Sequence, residues 1–157
     1  MSSFPVGRLR ILALIAVTSS VLGACGLVSS TAPPATPTDF PGLAGRFNAA
    51  GIEVSDWVSG DPGCGDSDLV PTAIAFDARG MDQTADVHVY LYVFRNRTSF
   101  ERLRGLVGPC AAAFVTDADT YEEVHQSPYV LAGQGPWAPD FEAAIRRTLE
   151  EAAGTGG

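Results

Sequence analysis

The sequence contains no lysine: its ten basic residues are all arginine, set against 18 Asp and Glu, and the formal net charge is −8. A chain this acidic repels phosphate backbones and anionic headgroups, which argues against nucleic-acid binding and against electrostatic adhesion to membranes. Histidine occurs only at His88 and His125, and cysteine only at Cys25, Cys64 and Cys110, with no Cys-x-x-Cys. Metal and thiol-redox centres built on closely spaced Cys and His therefore lack their ligand pattern. There is no Gly-x-Ser-x-Gly elbow. A triad drawn from Ser127, His125 and Glu123 is set aside on the expectation that residues so close along a strand point to opposite faces. Gly133-Gln134-Gly135 lacks the third glycine of a dinucleotide fingerprint. No apolar run reaches the about 20 residues that span a bilayer. The longest, starting at Ile11, is interrupted by Thr18-Ser19-Ser20.

What is present at the start of the chain is a positive head, Arg8 and Arg10, followed by the apolar run Ile11 to Val17, which continues weakly to Leu22. Small residues come next, and the order reads as a secretory signal. Leu9 separates the two arginines, which disfavours the twin-arginine route. The run closes on Leu22-Gly23-Ala24-Cys25, which resembles the lipobox of bacterial lipoproteins. That resemblance implies cleavage between Ala24 and Cys25, a diacylglyceryl group on the Cys25 thiol, and membrane lipid as the partner of the acylated residue. A signal peptide with an incidental cysteine is the competing reading. One acyl chain holds a protein only marginally, at about 0.8 kcal/mol per buried methylene, whereas two give a lasting anchor. The expected location is the outer face of the plasma membrane. The arginine-only basic set and the Ala, Gly and Pro content resemble the codon usage of a GC-rich, actinobacterial genome, and with its lipobox-like signal the chain resembles the small exported lipoproteins of actinobacteria. The resemblance covers the signal and Cys25 alone.

Removing residues 1–24 leaves 157 − 24 = 133 residues and subtracts Arg8 and Arg10, so the charge moves from −8 to −10. That length fits one small domain. With Cys25 acylated, Cys64 and Cys110 remain, an even count in an oxidising compartment, and a disulfide between them is expected. It closes a loop of 110 − 64 = 46 residues, for which chain entropy gives roughly 4 kcal/mol of stabilisation. Residues 25–39 are the lipidated cysteine and a Pro/Ser/Thr-rich tether that reaches roughly 40 Å when extended. Residues 40–157 form the domain.

Within it, Asp39-Phe40-Pro41 opens a helix that buries Leu43, Phe47 and Ala50 and closes at Gly51-Ile52. A strand over Ile52 to Val58 leads to an irregular loop, 59–68, that presents Cys64. Strands follow at Pro71 to Ala78 and Asp86 to Arg95. In the second, Val87, Val89, Leu91 and Val93 face one way, and His88, Tyr90, Tyr92 and Phe94 the other. Thr98-Ser99-Phe100-Glu101 reads as a capping box for a helix that buries Phe100, Leu103, Leu106 and Val107 and ends at Gly108-Pro109. Tyr121 to Gln126 and Tyr129 to Gly133 form a hairpin turning at Ser127-Pro128. The last helix, Pro139 to Ala153, carries Phe141, Ile145 and Leu149 inward. It also carries the pairs Glu142 with Arg146, Arg146 with Glu150, and Arg147 with Glu151. The expected fold is α+β: an antiparallel sheet of about five strands with about three helices packed mainly on one face.

The acidic groups Asp61, Asp66, Asp68 and Asp117, Asp119, Glu122, Glu123 read as solvated loops, calcium binding being the alternative, since neither carries an EF-hand ladder. The row His88, Tyr90, Tyr92 and Phe94 is the candidate face for a glycan, lipid or peptide partner. Its alternative is a second layer of core, because an uncovered aromatic strip invites aggregation. No catalytic residue, metal site or cofactor is assigned. The expected function is a non-enzymatic binding or interaction module held at the cell surface. The alternatives are a carrier or sensor of a small apolar ligand and an exported hydrolase.

Overall fold

In the computed structural model, which describes residues 40–154, Phe40, Leu43 and Phe47 recur at helical spacing and are buried as one face of α1 (Phe40–Ala49). Cys25, the signal and the tether lie outside the described residues. Gly51, at φ 86°, reverses the chain into β1 (Ile52–Ser59). The remaining elements are β2 (Ala73–Gly80), β3 (Gln83–Val93), α2 (Arg97–Leu103), α3 (Val107–Ala111), β4 (Tyr121–Gln126), β5 (Tyr129–Gln134) and α4 (Pro139–Ala153). The five strands pair in the order β1-β2-β3-β5-β4, every neighbour antiparallel, so the fold is α+β as the sequence implies.

Strand alternation divides the interior in two. Phe76, Val89, Leu91, Tyr129 and Leu131 pack with Phe40, Leu43 and Phe47 of α1 and with Phe141, Ile145 and Leu149 of α4. On the other side of the sheet, Ala75, Tyr90, Tyr92, Phe94 and Val130 pack with Leu69 and with Phe100, Leu103, Val107 and Cys110. The two longest helices thus share one face, while α2, α3 and the loop before β2 cover the other. Each fully buried large side chain contributes about 1.5–3 kcal/mol by area, so neither layer is dispensable.

Several boundaries differ from the sequence reading. Pro71 and Thr72 belong to a 3-10 turn (Val70–Thr72) that precedes β2. β3 begins at Gln83, because Gly80 (φ 136°) and Met81 (φ 54°) fold back at once and Gln83 pairs with Gly80. The cap of α2 is Asn96, whose side chain accepts from the Ser99 N–H at 2.9 Å. Glu101 turns instead to Arg104 at 3.1 Å. Gly108-Pro109 does not end the helical segment. The break comes earlier, in a 3-10 turn at Arg104–Leu106, and Pro109 lies in the first turn of α3, where its missing N–H costs nothing. Of the three charge pairs anticipated on α4, Glu142 and Arg146 meet, at 2.6 Å.

α4 has no cap of its own, since Ala138 precedes it. The backbone N–H groups of Asp140 and Phe141 donate to the Asp82 carboxylate at 3.1 and 2.9 Å, and that of Ala138 to the Gln83 side chain at 3.0 Å. The β2–β3 turn thereby caps a helix more than fifty residues away in sequence. Desolvation opposes ionisation of Asp82, but the backbone donors outweigh it and hold the carboxyl below its usual range. A carboxyl lowered in the folded state stabilises above its unfolded value and ceases to do so as pH falls through the folded one. Asp82→Ala is therefore expected to lower the urea midpoint at pH 7, and the gap to the parent chain to close in acid below the ordinary carboxylate range. Equal midpoints at pH 7 would remove the cap from the account.

Candidate functional site: a buried aromatic row and surface clefts

Cys64 and Cys110 are joined, with Cα atoms 5.4 Å apart, as the cysteine count implies. The bridge ties the loop before β2 to α3, and both lie over the aromatic side of β3. Beneath them Tyr92 donates its hydroxyl to the Pro62 carbonyl at 2.8 Å. Gly63, at φ 73°, rests directly on the Tyr90 and Phe114 rings, where a Cβ would come within 2.6–2.8 Å of ring atoms. Tyr90 stacks on Phe114 with ring centroids 4.2 Å apart, and Phe94 meets Phe100 edge-on at 5.8 Å. Burial raises the phenol of Tyr92 well above its ordinary range. Tyr90 is raised by burial and then by the charge of Asp61, so both hydroxyls stay protonated.

The candidate row therefore divides. Tyr90, Tyr92 and Phe94 are 8%, 0% and 1% exposed and serve as a second layer of core, the alternative given above for the row, not as an open partner face. The reason is the apolar area they would otherwise leave in water, which the bridged loop, α2 and α3 cover. His88 alone remains at the surface, 2.6 Å from the Asp77 carboxylate and edge-on to Tyr90. The signal that pointed to this cover was the apolar stripe Phe100, Leu103 and Val107, which has to be buried against something.

Glu123 and His125 also require a correction. Residues two apart on a strand share a face, and here Glu123 bridges His125 Nε2 at 2.5 Å and the Tyr121 hydroxyl at 2.7 Å. Burial, and then Glu123, raise the Tyr121 phenol. Ser127 belongs to the β4–β5 turn and makes no bond to His125.

The acidic clusters spend carboxylate oxygens on their own loops. Asp61 accepts from the Gly63 N–H at 2.8 Å, Asp66 from Asp68 at 2.9 Å and Asp117 from Asp119 at 3.0 Å. Among the described residues no three His, Cys, Asp or Glu side chains are grouped to hold a metal ion.

Three of the surface clefts among the described residues bear on a binding role. One of about 460 Å³ lies between the β3–α2 junction, the β4–β5 turn and the end of α4, with Arg95, Arg97, Gln126 and Ser127 on its walls. A groove of about 370 Å³ follows α3 past Ala111, Val115 and Tyr121. Another, about 320 Å³, runs between α1 and β1 along Pro41, Ala44 and Val54 to Trp57, which is 54% exposed. None of the three is lined by His88, Tyr90, Tyr92 or Phe94. No helix among the described residues is long and apolar enough to cross a membrane. Compared with known proteins, the chain matches no family model, no curated protein and no solved structure.

Proposed function

We propose that the protein is a lipoprotein, held at the outer face of the plasma membrane by acylated Cys25, that displays its disulfide-bridged α+β domain as a non-enzymatic binding or interaction module. The observation that carries this reading is the partition of the cysteines. Cys64 and Cys110 are bonded to each other, so Cys25, at the end of the lipobox-like tetrapeptide, is the one of three left for another chemistry. Two acyl chains on one cysteine are a sufficient anchor without a spanning helix. Carriage of an apolar ligand along the aromatic row is the weaker reading, because none of the clefts described is lined by Tyr90, Tyr92 or Phe94. We favour binding over hydrolysis because the hydroxyl next to the Glu123–His125 pair, that of Tyr121, bonds to the carboxylate and not to the imidazole.

Mass spectrometry of the protein extracted from membranes is expected to show a first residue Cys25 bearing diacylglycerol. A Cys25→Ala chain is expected in the soluble fraction or with its leader uncut. An unmodified Cys25 thiol in the membrane-extracted chain overturns the anchor.

A further inference from the structure

We propose that the cleft walled by Arg95, Arg97, Gln126 and Ser127 is a binding site for a small dianionic phosphate group. Arg95 and Arg97 flank Asn96, whose backbone is extended (φ −162°, ψ 172°). Side chains on either side of an extended residue leave the chain in the same direction, and both arginines line the same cleft. In a chain with 18 carboxylates, Arg79, Arg104 and Arg146 each reach one or more. Among the described residues Arg46, Arg95, Arg97, Arg102 and Arg147 reach none. Arg46 and Arg147 share a cleft with Glu151, which has no ion pair of its own, whereas the one acid in the cleft of Arg95 and Arg97 is taken. That acid is Glu101, whose carboxylate is engaged by Arg104 at 3.1 Å. The two guanidinium groups of the cleft therefore have no ion-pair partner among the described residues. Gln126 at the end of β4 and Ser127 in the turn that follows also line the cleft, and neither side chain has a hydrogen-bond partner among the described residues.

This combination selects the ligand. One guanidinium fork satisfies a carboxylate, whereas two forks with neutral donors beside them match the double charge and the several oxygens of a phosphate. The net charge of −8 repels long polyanions, so the site suits an isolated phosphate group and not a nucleic-acid backbone. That group has two possible sources, a soluble phosphate ester or the headgroup of a membrane lipid. The inference gives a chemistry to the binding module proposed above. It rests on that half of the reading and is independent of acylation at Cys25.

The test is calorimetric titration of the full chain in detergent, at low salt and slightly alkaline pH, with inorganic phosphate. Saturable binding of one phosphate is expected, weakening with added sodium chloride. Arg95→Gln and Arg97→Gln should each weaken it by about tenfold, the loss of one charge-assisted fork. The control is Arg46→Gln with Arg147→Gln, a pair of arginines lining a different cleft, which should leave the affinity unchanged. The source is resolved with Cys25→Ala protein and phosphatidylcholine vesicles with or without phosphatidic acid. Sedimentation that needs the acidic lipid, Arg95 and Arg97 assigns the headgroup; phosphate binding without sedimentation assigns the soluble ester. Absence of saturable phosphate binding, or binding that survives loss of both arginines in a folded chain, overturns the proposal. If Cys25 carries lipid in that same preparation, the anchor stands and only the site falls.

Discussion

A Cys64→Ser, Cys110→Ser chain is expected to lose roughly 4 kcal/mol of stability, the chain entropy released when a 46-residue loop is opened in the unfolded state. Small domains retain only about 5–15 kcal/mol in all, so the loss is a large fraction. For a domain of this length it corresponds to a fall in melting temperature on the order of 10–20 °C. The bridge also fastens the loop before β2 and α3 over Tyr90 and Tyr92, so the opened chain should expose that side of the sheet first. Urea unfolding with and without reductant measures the effect in the parent chain. A change below about 1 kcal/mol, the scale of an ordinary single substitution, would show that the layer holds without its covalent tie.

Substitutions along the aromatic row should rank by burial. Tyr92→Ala is expected to cost about 3–5 kcal/mol, the usual range for emptying a large aromatic from a core. Tyr92→Phe keeps the ring and removes only the donor to Pro62, leaving a buried carbonyl unpaired at about 1–3 kcal/mol. His88→Ala, at the exposed end of the same row, should lie within about 0.5 kcal/mol of the parent, as surface changes do. Denaturant midpoints separate the three. If Tyr92→Ala left stability intact and instead abolished association with a partner, the row would be a binding face after all. Because Tyr92 and the disulfide hold the same loop, their losses should be less than additive.

Much of the fold was legible where a local pattern was strong. The strict alternation from Val87 to Phe94 identified β3 and both of its faces, and Phe141, Ile145 and Leu149, with Pro139 in front, located α4 at both ends. Cysteine parity identified the bridge. What local pattern missed was decided by contacts across the chain. Gln83, Thr84 and Ala85 carry no apolar period, and they extend β3 only because the turn at Gly80 and Met81 brings them against β2. Gly108-Pro109 reads as a stop, yet Leu103, Val107 and Cys110 have the sheet to pack on, and burial carries the helical segment through. The functional surface was less legible still. The arginine cleft draws its walls from residues near positions 95, 127 and 153, which no window of sequence joins. The role of His88, Tyr90, Tyr92 and Phe94 turned on whether something lay above them, which periodicity does not reveal.

The strand order leaves β1 and β4 as the two borders of the sheet, and each is built to refuse a further strand. On β1 the register breaks between Ser55 and Val58, with Asp56 at φ 50°, so a neighbouring chain would find no continuous ladder to extend. On β4 the consecutive glutamates Glu122 and Glu123 put charge on the border strand, which discourages pairing with a second copy. Molecules fixed by one end to a common plane meet far more often than molecules free in three dimensions. On the anchor proposed above, such borders would work against strand-by-strand association of crowded neighbours.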